Sequence, residues 1–156
     1  MVIEDIVTMF SEYPRFFRNK DVLVLGVKDI YVTEALDKMY KEENCALVGA
    51  TYYKKDMEKL NRMSEEATFT CLKPHRDSIP EVDTIILILS AIRVGDIDTV
   101  IKRCLEKCRH LMILFEEDAM EIEDLSYNGY EPVTSKSYFG FQYNIEIYVG
   151  ARRYAK

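Results

Sequence analysis

The chain has 156 residues, with 21 basic against 27 acidic side chains and a net charge of −6. Its apolar content of 48% is that of an ordinary globular domain, roughly 45–50%, which excludes disorder, collagen and coiled-coil arrays; a chain this long buries about 68–70% of its unfolded surface without disulfides or metal. The acidic balance argues against a general nucleic-acid or anionic-membrane binder, and the six glycines, no two of them forming a Gly-x-Gly, exclude a P-loop and the dinucleotide fingerprint.

Residues 1–10 carry Glu4 and Asp5 and have neither a basic start nor an apolar centre, so they are not read as a secretory signal. Ile3, Ile6, Val7 and Phe10 instead mark a helical lead-in that stops before Pro14. The first strongly apolar run is Val22-Leu23-Val24-Leu25. Val32, Ala35, Leu36, Met39 and Tyr40 then fall on one helical face. A second run is Cys45-Ala46-Leu47-Val48, followed by a weaker helix over 54–63 marked by Met57 and Leu60. Residues 67–72 alternate and suit an edge strand. Ile85-Ile86-Leu87-Ile88-Leu89 is the third run. A helical stripe of Ile97, Val100, Ile101, Cys104, Leu105 and Cys108 follows, with Asp96 as its expected N-cap. Leu111-Met112-Ile113-Leu114-Phe115 is the fourth run.

None of the four runs alternates apolar with polar residues, the pattern of strands buried on both faces and usually parallel. Strands separated by helices imply right-handed crossover units. The C-terminal third differs: 130–138 and 145–152 are extended candidates with a short connection, which favours an antiparallel hairpin. We read one domain over 1–156, with a lead-in over 1–20 and a core over 21–153. No apolar stretch approaches the roughly 20 residues of a membrane span, and four cysteines in such a chain fit free thiols. The expected location is the cytoplasm, with no membrane contact.

A parallel, alternating sheet that ends in an antiparallel pair resembles the class I S-adenosylmethionine-dependent methyltransferases. Val22-Leu23-Val24-Leu25-Gly26 is similar to the family's first strand and its glycine, and Leu47-Val48-Gly49-Ala50-Thr51 to its second strand. Asp77-Ser78-Ile79-Pro80 is similar to its Asp followed by a Leu-Pro pair, and Val82-Asp83-Thr84-Ile85-Ile86 to the opening of strand four. Tyr130-Glu131-Pro132 and the segment 145–149 are similar to strands six and seven. The resemblance implies an α/β, three-layer Rossmann-like sandwich with strand order 3-2-1-4-5-7-6. It also implies S-adenosylmethionine as cofactor, bound near Gly26, Val27, Lys28, Thr51, Tyr52, Asp77 and Ser90.

Departures from the family pattern fall at the donor loop. The family's acidic-x-Gly-x-Gly is Val24, Gly26 and Lys28 here, without the acid or the second glycine. The acid that accepts from the ribose hydroxyls is replaced by Thr51, a weaker, uncharged partner. Lys28 suits an anion such as a phosphate or carboxylate instead. In the family the Asp77 position lies near the adenine; read alone, Asp77 is a turn residue before Pro80.

Ligands of open parallel sheets bind beyond the carboxyl ends of the strands. Tyr52 or Tyr53 at that rim can stack on a flat ring or simply pack. Arg93 beside Ser90 suits an anionic substrate or only solvent. His75 falls at the same rim and is the general-base candidate by residue type. His110 precedes the fourth run and belongs at the opposite end. That geometry separates Cys71 and His75 from Cys104, Cys108 and His110, so no single zinc site is expected. Cys104 and Cys108 read as core residues. Glu116, Glu117 and Asp118 suit a cation or a helix start. Arg152, Arg153 and Lys156 lack the breadth of a nucleic-acid surface. Tyr127, Tyr130, Tyr138, Tyr143, Tyr148 and Tyr154 mark the hairpin as a surface for a second copy or a partner protein, or as a sheet cover.

Two functions stay open. One is a methyltransferase-like protein with a divergent donor site, acting on a small molecule at the strand ends. The other is a non-catalytic Rossmann-like module that binds a partner protein, another nucleotide or an anionic metabolite.

Overall fold

The computed structural model describes residues 14–27, 30–88, 92–116, 131–138 and 143–149. Strands β1 (Asp21–Leu25), β2 (Ala46–Thr51), β3 (Thr68–Cys71), β4 (Thr84–Ile88), β5 (His110–Glu116), β6 (Glu131–Tyr138) and β7 (Tyr143–Val149) alternate at first with helices. These are α1 (Ile30–Glu43), α2 (Lys54–Met63) and α3 (Ile97–Leu105). The strands form one sheet in the order β3-β2-β1-β4-β5-β7-β6. Pairs β1–β2, β1–β4, β2–β3 and β4–β5 are parallel, whereas β7 runs antiparallel to both β5 and β6. The expected topology is therefore the observed one.

Continuous apolar strands arise because both faces of the sheet are covered. Val22, Val24, Ile86 and Ile88 pack on one face with Leu36 of α1, Leu60 of α2, and Phe16 and Phe17 of the lead-in. Leu23, Leu25, Ile85 and Leu87 pack on the other with Val100, Ile101, Cys104 and Leu105 of α3. Each such side chain contributes roughly 1.5–3 kcal/mol on burial. Covering helices also force the β1-to-β5 crossovers onto the sheet's flanks, which leaves the strand ends open for function.

β2 runs three residues beyond its apolar run, to Thr51, as the family resemblance implied. Gly49 makes room in this strand for a neighbouring side chain. A Cβ on Gly49 would lie 2.4 Å from Cε1 of the buried Phe69 ring, so the glycine gives that ring its place in the core. Gly49→Ala is expected to cost about 1–3 kcal/mol by overpacking, read as a lowered urea midpoint; an unchanged midpoint would mean that the ring moves aside freely. Asn61 secures the outer side of β3: its Oδ1 accepts from Phe69 N at 2.8 Å and its Nδ2 donates to Phe69 O at 3.0 Å.

Two local expectations need correction. Asp96 holds the expected N-cap position, but it closes a 3₁₀ turn, Val94–Asp96, with helical backbone angles, and its side chain makes no cap bond. The α3 stripe also ends at Leu105; Cys108 lies beyond it, buried, with its Sγ donating to Cys104 O at 3.2 Å. Between β3 and β4 the chain makes a turn instead of a covering helix. Val48, Thr68 and Thr70 on that face of the β2–β3 edge are consequently exposed.

The N-terminal helical stripe, Tyr130, Glu117, Asp118 and the basic tail lie outside the described residues. Among the described residues, no helix is long and apolar enough to cross a membrane.

Candidate functional site

Parallel pairing aligns the ends of β1 and β2, with Leu25 opposite Ala50. The chain leaves β1 through Gly26, whose φ of 88° lies in the left-handed region that a side chain disfavours. Both turn amides close back on the neighbouring strand: Gly26 N donates to Ala50 O at 3.2 Å and Val27 N to the same oxygen at 3.0 Å. Val27 is buried. Lys28 and Ser90 lie outside the described residues.

Thr51 ends β2 fully buried, at 0% exposure. Its hydroxyl donates to Tyr53 O at 3.0 Å, with Thr70 O at 3.5 Å. The side chain therefore tightens the bend after the strand. Tyr52 and Tyr53 follow it in different settings. Tyr53 is 63% exposed, with the Lys73 ammonium 5.9 Å from its ring centroid. Tyr52 is half-buried and lies parallel to His75, with centroids 6.1 Å apart and an interplanar angle of 15°. The Tyr52 hydroxyl and His75 Nδ1 are both buried without a hydrogen-bond partner. Burial pushes the Tyr52 phenol above its ordinary pKa; Asp96 adds to the rise and Arg93 opposes it. The Tyr52 side chain packs against the core on the sheet face that α3 covers.

Asp77 stands in the loop after β3. Its Oδ2 accepts from Lys73 N at 2.7 Å, while Oδ1 lies 3.6 Å from Arg76 Nε. Its backbone oxygen accepts from Arg103 Nη2 of α3. The carboxylate staples the 73–77 turn, and the backbone ties that turn to α3.

Fold and loops together bring Gly26, Val27, Thr51, Tyr52 and His75 to one end of the sheet, but the partnership of Tyr52 with His75 was not anticipated. The signal was available: Tyr52 follows β2, His75 follows β3, and these strands are neighbours. His110 is at the opposite end, as expected, tilted against Phe16 with ring centroids 4.7 Å apart. Burial lowers its pKa, and Lys20, Arg15 and Arg109 lower it further. Cys104 and Cys108 are buried in the core, and burial holds the Cys104 thiol well above its ordinary value. No group of three or more His, Cys, Asp or Glu among the described residues is able to hold a metal ion.

No protein-family model matches the sequence, and neither does any curated protein. Solved structures do match. A TehB-like SAM-dependent methyltransferase from Corynebacterium glutamicum superposes with a TM-score of 0.68 at 10% identity, over 94% of this chain and 87% of that one. A SAM-dependent methyltransferase from Aquifex aeolicus gives 0.65 at 11% identity, over 93% and 89%. An RNA methyltransferase from Salinibacter ruber, solved with S-adenosyl-L-homocysteine, gives 0.62 at 10% identity, over 92% and 89%. The chain has the class I methyltransferase fold. At these identities the likeness is one of fold. Within that methyltransferase-like fold, Gly26 occupies the turn after the first strand and Thr51 the end of the second.

Proposed function

We propose that the strand ends bind S-adenosylmethionine and that the chain is a methyltransferase with a divergent donor site, acting on a small molecule. The observation carrying this reading is the pair of unpartnered buried atoms, Tyr52 Oη and His75 Nδ1. A buried polar group without a partner costs about 1–3 kcal/mol. A flat heteroaromatic ring with nitrogen donors and acceptors, such as adenine, would satisfy both once the Tyr52 and His75 side chains turn to uncover them, and would stack on the adjoining aromatic surface. The Gly26 turn adds a stretch of backbone without a Cβ, which a ligand can approach closely. Bound donor would supply an electrophilic methyl group. The protein's part is to hold an acceptor in line with it, and proximity and orientation alone account for much of such a rate.

A second reading, a non-catalytic module, is favoured by a different observation. The Thr51 hydroxyl, the Gly26 and Val27 amides and one Asp77 oxygen are all engaged within the chain. Hydrogen bonds to a ribose or a methionyl group would have to come from elsewhere.

Titration calorimetry with S-adenosylhomocysteine separates the two. The enzyme reading expects saturable binding, weakened about fivefold in Tyr52→Phe, equivalent to about 1 kcal/mol for one lost hydrogen bond. The same substitution should leave thermal stability unchanged or raised, because it deletes an unsatisfied hydroxyl. No heat at millimolar ligand would favour the module.

A further inference from the structure

A hollow lies where the β3–β4 loop meets the last turn of α3. Arg76, Ser78, Ile79, Arg103, Glu106 and Lys107 line it, and its volume is about 360 Å³. Three cations face one carboxylate there, in a chain whose net charge is −6. Asp77 offsets part of the Arg76 charge from 3.6 Å. Arg103 is the telling residue. One of its terminal nitrogens donates to Asp77 O, whereas its Nε is buried without an acceptor.

A guanidinium has five N–H donors in a rigid fork that matches oxyanions. Leaving one buried donor unmet is unfavourable, and so is crowding cations in a concave, partly desolvated space. An oxyanion in the hollow would relieve both. It would take charge-assisted bonds from Lys107 and Arg76, find a hydroxyl in Ser78, and accept from Arg103 Nε once a turn of that side chain uncovers it. The hollow has room for a phosphate and part of the group that carries it.

We propose that this hollow is a binding site for phosphate or a phosphate monoester, separate from the strand-end site and independent of what that site binds. The ligand joins the 76–79 loop to the end of α3, reinforcing the link that Arg103 already makes to Asp77. No bond is made or broken in this site.

The test is a titration of the full chain with inorganic phosphate, followed by amide chemical shifts at constant ionic strength, with chloride and acetate as comparison anions. The expected result is saturable shifts at Ser78, Ile79, Arg103, Glu106 and Lys107, at least fivefold weaker with acetate and not saturable with chloride. Lys107→Gln and Arg103→Gln should each raise the phosphate Kd at least fivefold. Lys107→Gln leaves the Arg103–Asp77 link intact, so a misfolded Arg103 variant does not remove the test. Equal, unsaturable responses to all three anions would overturn the proposal, as would an unchanged phosphate Kd in Lys107→Gln.

Discussion

Replacing Thr51 by aspartate is expected to destabilise the protein by about 3–5 kcal/mol, the scale of an uncompensated buried charge. In a chain of this length that lowers the melting temperature by about 10 °C or more. The family resemblance implies a ribose-binding acid at this position, so a reading of the sequence alone would suggest the opposite outcome: a repaired donor site. Thr51 is fully buried, and its hydroxyl donates to Tyr53 O. A carboxylate cannot donate to that carbonyl and would face it as a second acceptor. Charge buried without a partner raises the carboxyl pKa, and the variant should regain part of its stability at low pH. Thr51→Ser keeps the donor and should cost about 1 kcal/mol, for the lost methyl group. Thermal denaturation of the three proteins checks this ordering. A stable Thr51→Asp protein that bound S-adenosylhomocysteine more tightly would mean that this side chain faces the ligand.

Asp37→Ala is expected to cost about 2–3 kcal/mol, the scale of hydrogen bonds to a charged group after allowance for partial exposure. The Asp37 carboxylate of α1 gathers four donors from the loop between α2 and β3. Oδ1 accepts from Ser64 Oγ at 2.8 Å, Glu66 N at 3.0 Å and Ala67 N at 2.7 Å, and Oδ2 from Glu65 N at 3.1 Å. Ser64 Oγ also lies 2.7 Å from Ala67 O, so its single proton is shared between the two acceptors and ties the loop and the helix into one network. Removing the carboxylate strands the amide of Ala67, a residue only 5% exposed, whereas water replaces the partners of the exposed Glu65 and Glu66.

The same cluster sets a pH dependence. Burial acts to raise the Asp37 pKa, but the bonds from Ala67, Ser64, Glu65 and Glu66 outweigh it, and the carboxyl titrates below its ordinary 3.8. A group with a depressed folded-state pKa stabilises the fold above its unfolded value. That contribution is lost as the pH falls from about 4 through the folded value. Asp37→Ala should lack this component, so the stability gap between the two proteins narrows below about pH 4. Urea midpoints at pH 7 and at pH 3 measure it; a gap that stays constant would assign the loss to packing instead.

What the sequence disclosed followed from burial. β1, β4 and β5 are covered on both faces, so they appear as unbroken apolar runs, and the α3 stripe marks the helix that covers one of those faces. β2 was harder to bound, because Gly49, Ala50 and Thr51 add little hydrophobic bulk, and the space above Gly49 is filled by the Phe69 ring of the neighbouring strand. The clamps were not legible. Asp37 and the loop it holds are about thirty positions apart, and polar side chains on a helix surface carry no periodicity that identifies a distant backbone partner. The same limit hid the Tyr52–His75 stack and the role of Arg103. Residue type and strand order could nominate these side chains singly, but only the packed loops pair them.

The claim that a donor occupies the strand ends is tested most directly by titrating the 15N-labelled protein with S-adenosylhomocysteine and recording amide shifts. Saturable shifts centred on Gly26, Val27, Tyr52 and His75, with little change at Arg103 and Lys107, are the predicted result. Unmoved resonances at those four positions under millimolar ligand, or shifts confined to another part of the chain, would contradict it.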